Sequence, residues 1–308
     1  MHDTPSPFSL RQRLGLYWEF ARPFTLLAPA LGMLSGGVAA LGAQPPWPLT
    51  RTVFLDLFLG TLMAAMLNAA SNTLNQITDP AGDRVNKPKR PIPRGRISMA
   101  EAWWVTAILG AFALILAWLV GFQCLLLATA AAILTTIYSM PPIRTKARGI
   151  WANVTIAIPR GTLLKVAGWS CVRTVIAVEP WFIGLIFGLF LLGASSTKDF
   201  ADIKGDRAGN CRTLPIIYGV RKAAWMIAPF FVLPFLLIPI GSMAGILTGN
   251  PLALRLLGLG LAAWGGYVVY LILRDPDALA ATENHPSWTQ MYLMMMAAQI
   301  GFAVSYLL

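Results

Sequence analysis

Long stretches of apolar sequence restrict the fold of this chain more than any other feature. The hydrocarbon core of a bilayer is crossed by about 20 apolar residues in helical form, because a helix satisfies its own backbone hydrogen bonds there. Nine stretches of that kind are separated by charges or turn residues: 23–43, 53–78, 101–120, 123–140, 151–169, 179–198, 223–243, 251–273 and 287–308. The sequence therefore predicts an all-α polytopic membrane protein, a bundle of about nine transmembrane helices. Eight or ten spans stay open, because prolines and the charges of Arg160 and Lys165 interrupt the fourth and fifth stretches.

Composition supports this assignment. Hydrophobic residues make up 56% of the chain and charged residues only 12%, whereas a soluble domain carries roughly 25% charged residues. Three cysteines and two histidines lie far apart in the sequence, in a spacing that gives neither a zinc site nor a disulfide framework. A water-soluble enzyme, a disordered chain and a disulfide-rich scaffold are excluded on these grounds.

Basic residues fall in alternate loops, and cytoplasmic loops of membrane proteins carry the excess of Lys and Arg. The loops after the second, fourth and sixth spans contain Arg84, Lys87, Lys89, Arg90, Arg94 and Arg96, then Arg144, Lys146 and Arg148, then Lys204, Arg207, Arg212, Arg221 and Lys222. We predict an integral protein of the inner or plasma membrane whose N-terminus and basic loops are cytoplasmic. The net charge of +11 then faces anionic membrane lipids, and no nucleic-acid partner is expected.

Five of the 13 acidic residues crowd into two short segments, 72–84 and 198–207. Steps of three and four place residues on one face of a helix. The sequence therefore predicts one polar stripe of Asn72, Asn75, Asp79 and Asp83, and a second of Asp199, Asp202 and Asp206. Carboxylates on one face repel one another unless they share a cation.

Both acidic segments stand at the cytoplasmic end of a predicted span, the second and the sixth, and both end in Asp-x-x-x-Asp-Arg. Four spans separate them, so the chain runs in the same direction at each. We predict a single domain over 1–308 with a weak parallel repeat, roughly 23–150 and 151–273, followed by a last helix at 287–308. The repeat would bring the two acidic segments together around one cytoplasm-facing cavity.

Oxygen ligands at this density suit a hard cation, and Mg²⁺ bound by a few carboxylates commonly bridges to substrate phosphates. Basic residues predicted on the same side can neutralise the remaining phosphate charge. They are Arg84, Arg90, Arg94, Arg144, Lys146, Lys198 and Arg207. The predicted ligand is a diphosphate at the membrane surface, and an apolar tail on it would lie among the helices.

Two long motifs and two shorter segments carry a resemblance to a known family. The first motif is Asn75-x-x-x-Asp79-x-x-x-Asp83, continued by Asn86-Lys-Pro-Lys-Arg90-Pro, and the second is Lys198-Asp199-x-x-Asp202-x-x-Gly205-Asp206. The shorter segments are Tyr138-Ser-Met-Pro141-Pro142 and Arg22-Pro23. In these positions the chain resembles the UbiA superfamily of intramembrane prenyltransferases.

The resemblance implies that a polyprenyl diphosphate, such as geranylgeranyl diphosphate, is bound through two Mg²⁺ ions and that its prenyl group passes to an acceptor. It implies a metal set of Asn75, Asp79, Asp83, Asp202 and Asp206, and diphosphate contacts from Arg22, Arg84, Arg144, Lys146 and Arg207. Lys198, Asp199 and Tyr138 are expected at the reacting atoms. Asp199 is either a third member of the second acidic stripe or a base near the acceptor, and Arg90 and Arg94 are expected to order a loop over the site.

Other functions remain alternatives. A transporter places its ionisable residues near mid-span, whereas here they cluster at span ends. A CDP-alcohol phosphotransferase also uses aspartates with Mg²⁺, but its Asp-Gly-x-x-Ala-Arg string is absent from this sequence. A terpene cyclase on the same fold needs the same ionisation step and no acceptor.

The acceptor stays open at the sequence level. An aromatic quinone precursor such as homogentisate, a prenylated glycerol phosphate and a chlorophyllide-like molecule are the candidates. The chain departs from many family members at Gln76, Thr78 and Ala194, and Gln76 favours homogentisate-type or isoprenoid-lipid members. Prenyl chain length and oligomeric state depend on packing that no motif encodes.

Overall fold

A computed structural model describes residues 9–282 and 285–308, and within them every regular element is helical. The helices are α1 (Leu10–Ala21), α2 (Leu27–Gly42), α3 (Arg51–Thr78), α4 (Pro80–Asn86), α5 (Met99–Val120), α6 (Phe122–Ser139), α7 (Ile150–Ala157), α8 (Leu164–Ser170), α9 (Val178–Ala194), α10 (Ile203–Ala208), α11 (Leu214–Tyr218), α12 (Val220–Ile227), α13 (Leu233–Met243), α14 (Pro251–Arg274), α15 (Pro276–Ala281) and α16 (Pro286–Leu307). The predicted all-α class is confirmed.

Seven helical runs of the described residues are long and apolar enough to cross a membrane. They are Pro23–Gly42, Arg51–Thr78, Met99–Val120, Phe122–Ser139, Val178–Thr197, Val220–Met243 and Pro251–Arg274, and each overlaps a predicted span. The other two predicted spans are also helical. The fifth predicted span carries Asn153, Arg160 and Lys165, and the ninth carries Gln290 and Gln299. These polar residues lower the mean hydropathy of the two spans. The count of nine stays a prediction.

The long helices begin where a side chain satisfies the free backbone N–H groups of the first turn. Thr50 Oγ1 accepts from Val53 N at 3.2 Å ahead of α3, Ser98 Oγ from Glu101 N at 3.2 Å ahead of α5, and Asn250 Oδ1 from Ala253 N at 3.0 Å ahead of α14. These caps fix where the chain enters the bundle.

Successive helices are neighbours around the bundle, and the last closes on the first. α2 packs on α3, α3 on α5 and α5 on α6; the stretch from α7 to α8 packs between α6 and α9. α9 packs on α13, α13 on α14, α14 on α16 and α16 on α2. Successive spans alternate in direction, so the ends of α3, α6 and α9 lie beside the starts of α2 and α7. The polar segments therefore lie on one face of the bundle.

Glycines allow α2 and α8 to approach closely, and α2 carries two of them in the pattern Gly32-x-x-x-Gly36. A Cβ on Gly36 would lie 2.5 Å from the Lys165 backbone oxygen, and one on Gly168 would lie 2.1 Å from the Met33 backbone oxygen. Membrane helices associate through such small residues because no hydrophobic effect drives them together within lipid. This contact holds the fifth span against the first.

We expect Gly168→Ala to lower the stability of the bundle by about 1–3 kcal/mol, because the added methyl meets backbone atoms that cannot turn away. The measurement is the Tm of the purified protein in detergent. Gly266→Ala on α14 is the matched control, since a Cβ there meets nothing within 4 Å. Equal Tm values for the two variants would contradict the close contact.

Candidate active site

The two acidic segments meet in one cavity of about 210 Å³ at the end of the bundle where α3 and α9 finish. We call it the acidic cavity. Its lining includes all six of the predicted aspartate and asparagine positions of the two motifs: Asn75, Asp79, Asp83, Asp199, Asp202 and Asp206. The predicted convergence of the two motifs on one cavity is therefore observed.

Neither segment is the continuous helical stripe that the spacing predicts. α3 ends at Thr78, and Asp79 leaves the helical region with φ −132° and ψ 49°. Pro80 begins α4, and a proline disfavours helical geometry at the residue before it. In the second segment the 3₁₀ turn Ser195–Thr197 gives way to further turns, and α10 begins only at Ile203. The breaks turn both segments inward across the end of the bundle.

Asn86 joins the two segments directly. Its Nδ2 donates to the Asp202 backbone oxygen at 2.9 Å, and its Oδ1 accepts from the Gly205 backbone N at 2.9 Å. The pair of bonds holds α4 against α10. One side chain thus bonds to two backbone positions of the opposite acidic segment.

Three carboxylates of the cavity wall are each held by a basic side chain. Arg90 Nη1 lies 2.5 Å from Asp83 Oδ1, Arg144 Nη2 lies 3.3 Å from Asp79 Oδ1, and Lys87 Nζ lies 3.5 Å from Asp202 Oδ1. Lys146 Nζ reaches Asp79 Oδ2 at 3.5 Å and Asn75 Oδ1 at 3.1 Å. Within 9–282 and 285–308, no three acidic, histidine or cysteine side chains lie close enough to hold an ion. The ion pairs draw the carboxylates toward the wall and apart from one another.

Three carboxyl groups of the cavity have raised pKa values, because they are buried and lie close to other negative charges. Burial, followed by the charges of Asp202 and Asp79, raises the pKa of Asp206 to about 7. Burial likewise raises the pKa of Asp83, and burial with the charge of Asp206 raises the pKa of Asp199 well above its usual range. Asp83 Oδ2 is buried without a hydrogen-bond partner among the described atoms. A set of oxygen donors with these properties fits a hard divalent cation.

The predicted basic residues divide into two groups. Arg22, Lys146 and Lys198 line the acidic cavity together with Tyr138, and Arg144 touches Asp79. Arg84 and Arg207 are exposed and lie outside the lining. Lys87 and Arg90 also line the cavity and pair with Asp202 and Asp83, and the loop sequence alone does not distinguish them from its other basic residues.

Arg22 is positioned by the polar residues of α3. Gln76 Nε2 donates to the Phe20 backbone oxygen at 2.8 Å, and Asn72 Nδ2 donates to the Ala21 backbone oxygen at 3.1 Å. The chain turns at Arg22 itself, whose φ is 59°. Asn72, predicted on the acidic stripe, and Gln76, noted as a departure from the family pattern, thus anchor the turn before α2.

A second cavity of about 330 Å³ adjoins the acidic one and shares Arg22, Ile156, Ser195 and Lys198 with it. It lies between α2, α7 to α9 and α16, and we call it the inner cavity. A narrower apolar cleft of about 50 Å³ between α2, α3, α6 and α8 shares Pro29, Asn68, Arg160 and Leu164 with the inner cavity. Polar space at the end of the bundle therefore continues into apolar space among the helices.

A helical membrane bundle with this arrangement belongs to the class of intramembrane enzymes that act on amphipathic substrates with a charged head and an apolar tail. Such an arrangement offers a polar end to a charged group and apolar space between the helices to a tail. The chain belongs to the UbiA prenyltransferase family, whose family model matches residues 26–300. It is an integral membrane prenyltransferase, and the resemblance of the two motifs to this family is confirmed.

Individual relatives cover most of the chain. A digeranylgeranylglyceryl phosphate synthase of Thermococcus kodakarensis is 30% identical over 296 residues, which are 94% of this chain and 97% of that protein. A homogentisate phytyltransferase of Synechocystis sp. is 28% identical over 66% of this chain and 68% of its own length. A solved UbiA homologue from Archaeoglobus fulgidus bound to GPP and Mg²⁺ shares the fold with a TM-score of 0.67 at 19% identity, covering 93% of this chain and 99% of that one.

Proposed function

We propose that this protein transfers a polyprenyl group from a polyprenyl diphosphate to an acidic acceptor in a Mg²⁺-dependent reaction that releases diphosphate. The observation that carries the proposal is the meeting of the two acidic segments at the mouth of a cavity that continues among the helices. The relative solved with GPP and Mg²⁺ supports the same pairing of a metal with a prenyl diphosphate.

Asn75, Asp79, Asp83, Asp202 and Asp206 are the proposed residues for holding two Mg²⁺ ions, since they supply oxygen donors from both walls of the acidic cavity. When bound, the ions neutralise charge on the diphosphate as it leaves. Around them Arg22, Lys87, Arg90, Arg144 and Lys146 supply the remaining positive charge. Arg84 and Arg207 stay predictions, with side chains outside the lining.

Three residues of the acidic cavity are proposed to act at the reacting atoms. Lys198 lines both cavities, so it can contact the diphosphate on one side and the acceptor on the other. Asp199 follows it in the sequence and also lines the acidic cavity, and a raised pKa makes its carboxylate a stronger base for the proton that the acceptor loses. Tyr138 presents an aromatic face that can stabilise a developing allylic cation.

The inner cavity favours transfer to an acceptor over cyclisation of the prenyl chain. It adds about 330 Å³ beside the acidic cavity and carries polar as well as apolar walls, which a hydrocarbon product does not require. The relatives named for a glycerol phosphate lipid and for homogentisate both point to an acceptor that bears an acid group. A prenylated glycerol phosphate and an aromatic acid are the two proposed acceptor classes.

The acidic cavity is proposed to open to the cytoplasm. Its mouth lies at the ends of α3, α6 and α9, where the loops with the most Lys and Arg leave the bundle. Loops of that composition stay on the cytoplasmic side. A cysteine introduced at exposed Lys89 is expected to react with an impermeant maleimide only after the membrane is opened.

The decisive test is pyrophosphate release from geranylgeranyl diphosphate by the protein in liposomes, with Mg²⁺ or with excess EDTA. We expect release to fall at least about a hundredfold in EDTA and to return with added Mg²⁺, because the carboxylates hold the diphosphate through the ions. Release that needs geranylgeranylglyceryl phosphate or homogentisate identifies the acceptor class. Release without either acceptor, with a cyclic hydrocarbon as product, would contradict transfer, and EDTA-resistant release would contradict the metal assignment.

A further inference from the structure

Arg160 stands in the interior of the fifth helical stretch, where a charged side chain is costly unless something compensates it. The stretch there is π-helical over Ile158–Leu163, and Pro159 within it lacks a backbone N–H. Such single-turn widenings are frequent at functional sites. The neighbours Pro159 and Gly161 are buried, whereas Arg160 keeps accessible surface. It lines both the inner cavity and the apolar cleft.

The guanidinium of Arg160 has no hydrogen-bond or ion-pair partner in the described part of the chain. Lys165, five residues further on, has the opposite character. Its Nζ donates to the Gly32 backbone oxygen at 3.3 Å and to Ser35 Oγ, and it lies 4.0 Å from the centroid of the Phe187 ring. One of the two interior cations is therefore satisfied by the protein, and the other points into the cavity.

The lining of the inner cavity is positively charged and includes buried polar atoms without a hydrogen-bond partner. Its lining contains the cations Arg22, Arg160, Lys165 and Lys198, and no acidic residue among those the structure describes. The Tyr292 hydroxyl and Gln299 Oε1, both in this lining, are buried polar atoms without a partner there. Burial, followed by the charges of Arg90 and Arg160, lowers the pKa of Arg22 to about 10. A ligand that brings negative charge would relieve this repulsion.

We propose that Arg160 is a specificity-determining residue that binds an oxyanion of the acceptor, a phosphate or a carboxylate, in the inner cavity. This inference rests on the proposed transfer to an acceptor and names the group by which the acceptor is held. A guanidinium binds a phosphate or a carboxylate with two parallel hydrogen bonds, so one arginine suits both proposed acceptor classes.

The position of Arg160 separates this group from the reacting atoms. Ile156 lies on the border shared with the acidic cavity, and four helical residues from it to Arg160 span about 6 Å. When its oxyanion is bound at Arg160, the acceptor can place another of its atoms about one helical turn away, at the border with the acidic cavity. In the proposed reaction the prenyl carbon lies beside that border. The donor diphosphate meets its own cations in the acidic cavity, so Arg160 is free to select the acceptor.

Binding measured without metal tests this directly. Purified protein in nanodiscs with EDTA is dialysed against labelled geranylgeranylglyceryl phosphate or homogentisate, and against their uncharged analogues geranylgeranylglycerol and homogentisate methyl ester. We expect Arg160→Gln to weaken binding of at least one acid tenfold or more and to leave its analogue unchanged. Arg160→Lys is expected to keep part of the acid binding. Arg255→Gln is the control, because Arg255 lies exposed on α14 outside the three cavities.

Kinetics provide the second readout. In Arg160→Gln the KM of the acid acceptor should rise tenfold or more, while the KM of geranylgeranyl diphosphate stays within twofold. Equal loss of acid and analogue, unchanged acid binding, or no acid binding by the unmodified protein would each overturn the assignment. Arg160-dependent acid binding without prenyl transfer would keep the anion site and remove the proposed function. Prenyl transfer with unchanged KM values in Arg160→Gln would keep the proposed function and remove the anion site.

Discussion

Replacing Asp79 with alanine is expected to lower prenyl transfer by about a thousandfold while the protein still inserts and folds. Asp79 stands where α3 breaks into α4, and it accepts contacts from both Arg144 and Lys146. Without it the cavity loses two donor oxygens and keeps two cations, Arg144 and Lys146, that have lost their carboxylate partner. Removing one electrostatic group of a reaction site commonly costs 10²–10³ in rate, and loss of a metal ligand adds to that.

The measurement is the rate of pyrophosphate release at saturating geranylgeranyl diphosphate and Mg²⁺, beside the size-exclusion profile of the purified variant. Asp202→Ala is expected to have a loss of the same order, because it removes a carboxylate from the opposite wall. Asp277→Ala is the matched control, since its ion pair with Arg221 is at the surface and 66% of the Asp277 side chain is exposed. Full activity in Asp79→Ala would remove Asp79 from the metal set, and a collapsed elution profile would make the residue structural.

The convergence of the two acidic segments could be predicted because it depends on parity alone. Spans of alternating direction, separated by four, must finish on the same side, so Asp79 and Asp202 had to share a face of the bundle. The break at Asp79 also has a local cause in Pro80. The spacing of residues does not determine the angle between two helical segments once the helix breaks. That angle determines how the walls of the acidic cavity face each other.

The choice of basic residues at the site could not be predicted. Arg84 and Arg90 belong to the same loop and carry the same charge, yet Arg90 pairs with Asp83 and Arg84 is exposed. Their separation depends on how the chain turns after Asn86, and turns of this length are fixed by tertiary contacts. The motif identifies a set of candidate basic residues, and the tertiary structure determines which of them line the site.

The inner cavity had only an indirect sign in the sequence. Arg160 and Lys165 stand out as charges within an apolar stretch, but the sequence does not show which of them finds a partner within the protein. The π-helical turn adds a residue to the local repeat, and both side chains line the inner cavity, but only Lys165 meets the carbonyl of Gly32. A shift of one residue in helical register lies below what hydrophobic pattern resolves.

The contact between α4 and α10 gives the second large expected effect, in the variant Gly205→Ala. A Cβ at Gly205 would lie 2.2 Å from the amide group of Asn86. Asn86 is short and is held by hydrogen bonds to Asp202 and Gly205, so it can move away only by giving up both bonds. The acidic segments would then separate, and we expect prenyl transfer to fall by about a hundredfold because metal and diphosphate must be held from both walls at once.

Gly260→Ala on α14 is the matched control, because a Cβ there meets nothing within 4 Å. Activity and Tm measured together separate a local effect from a general one: Gly205→Ala should lose transfer with little change in Tm, since α10 lies at the end of the bundle. The double variant Asn86→Ala with Gly205→Ala removes the clash and restores space for the helices to approach. It should recover part of the lost rate, whereas Asn86→Ala alone should be impaired through its two missing bonds. No recovery in the double variant would show that the clash with Asn86 does not explain the loss, and would move the cause to the backbone of α10 itself.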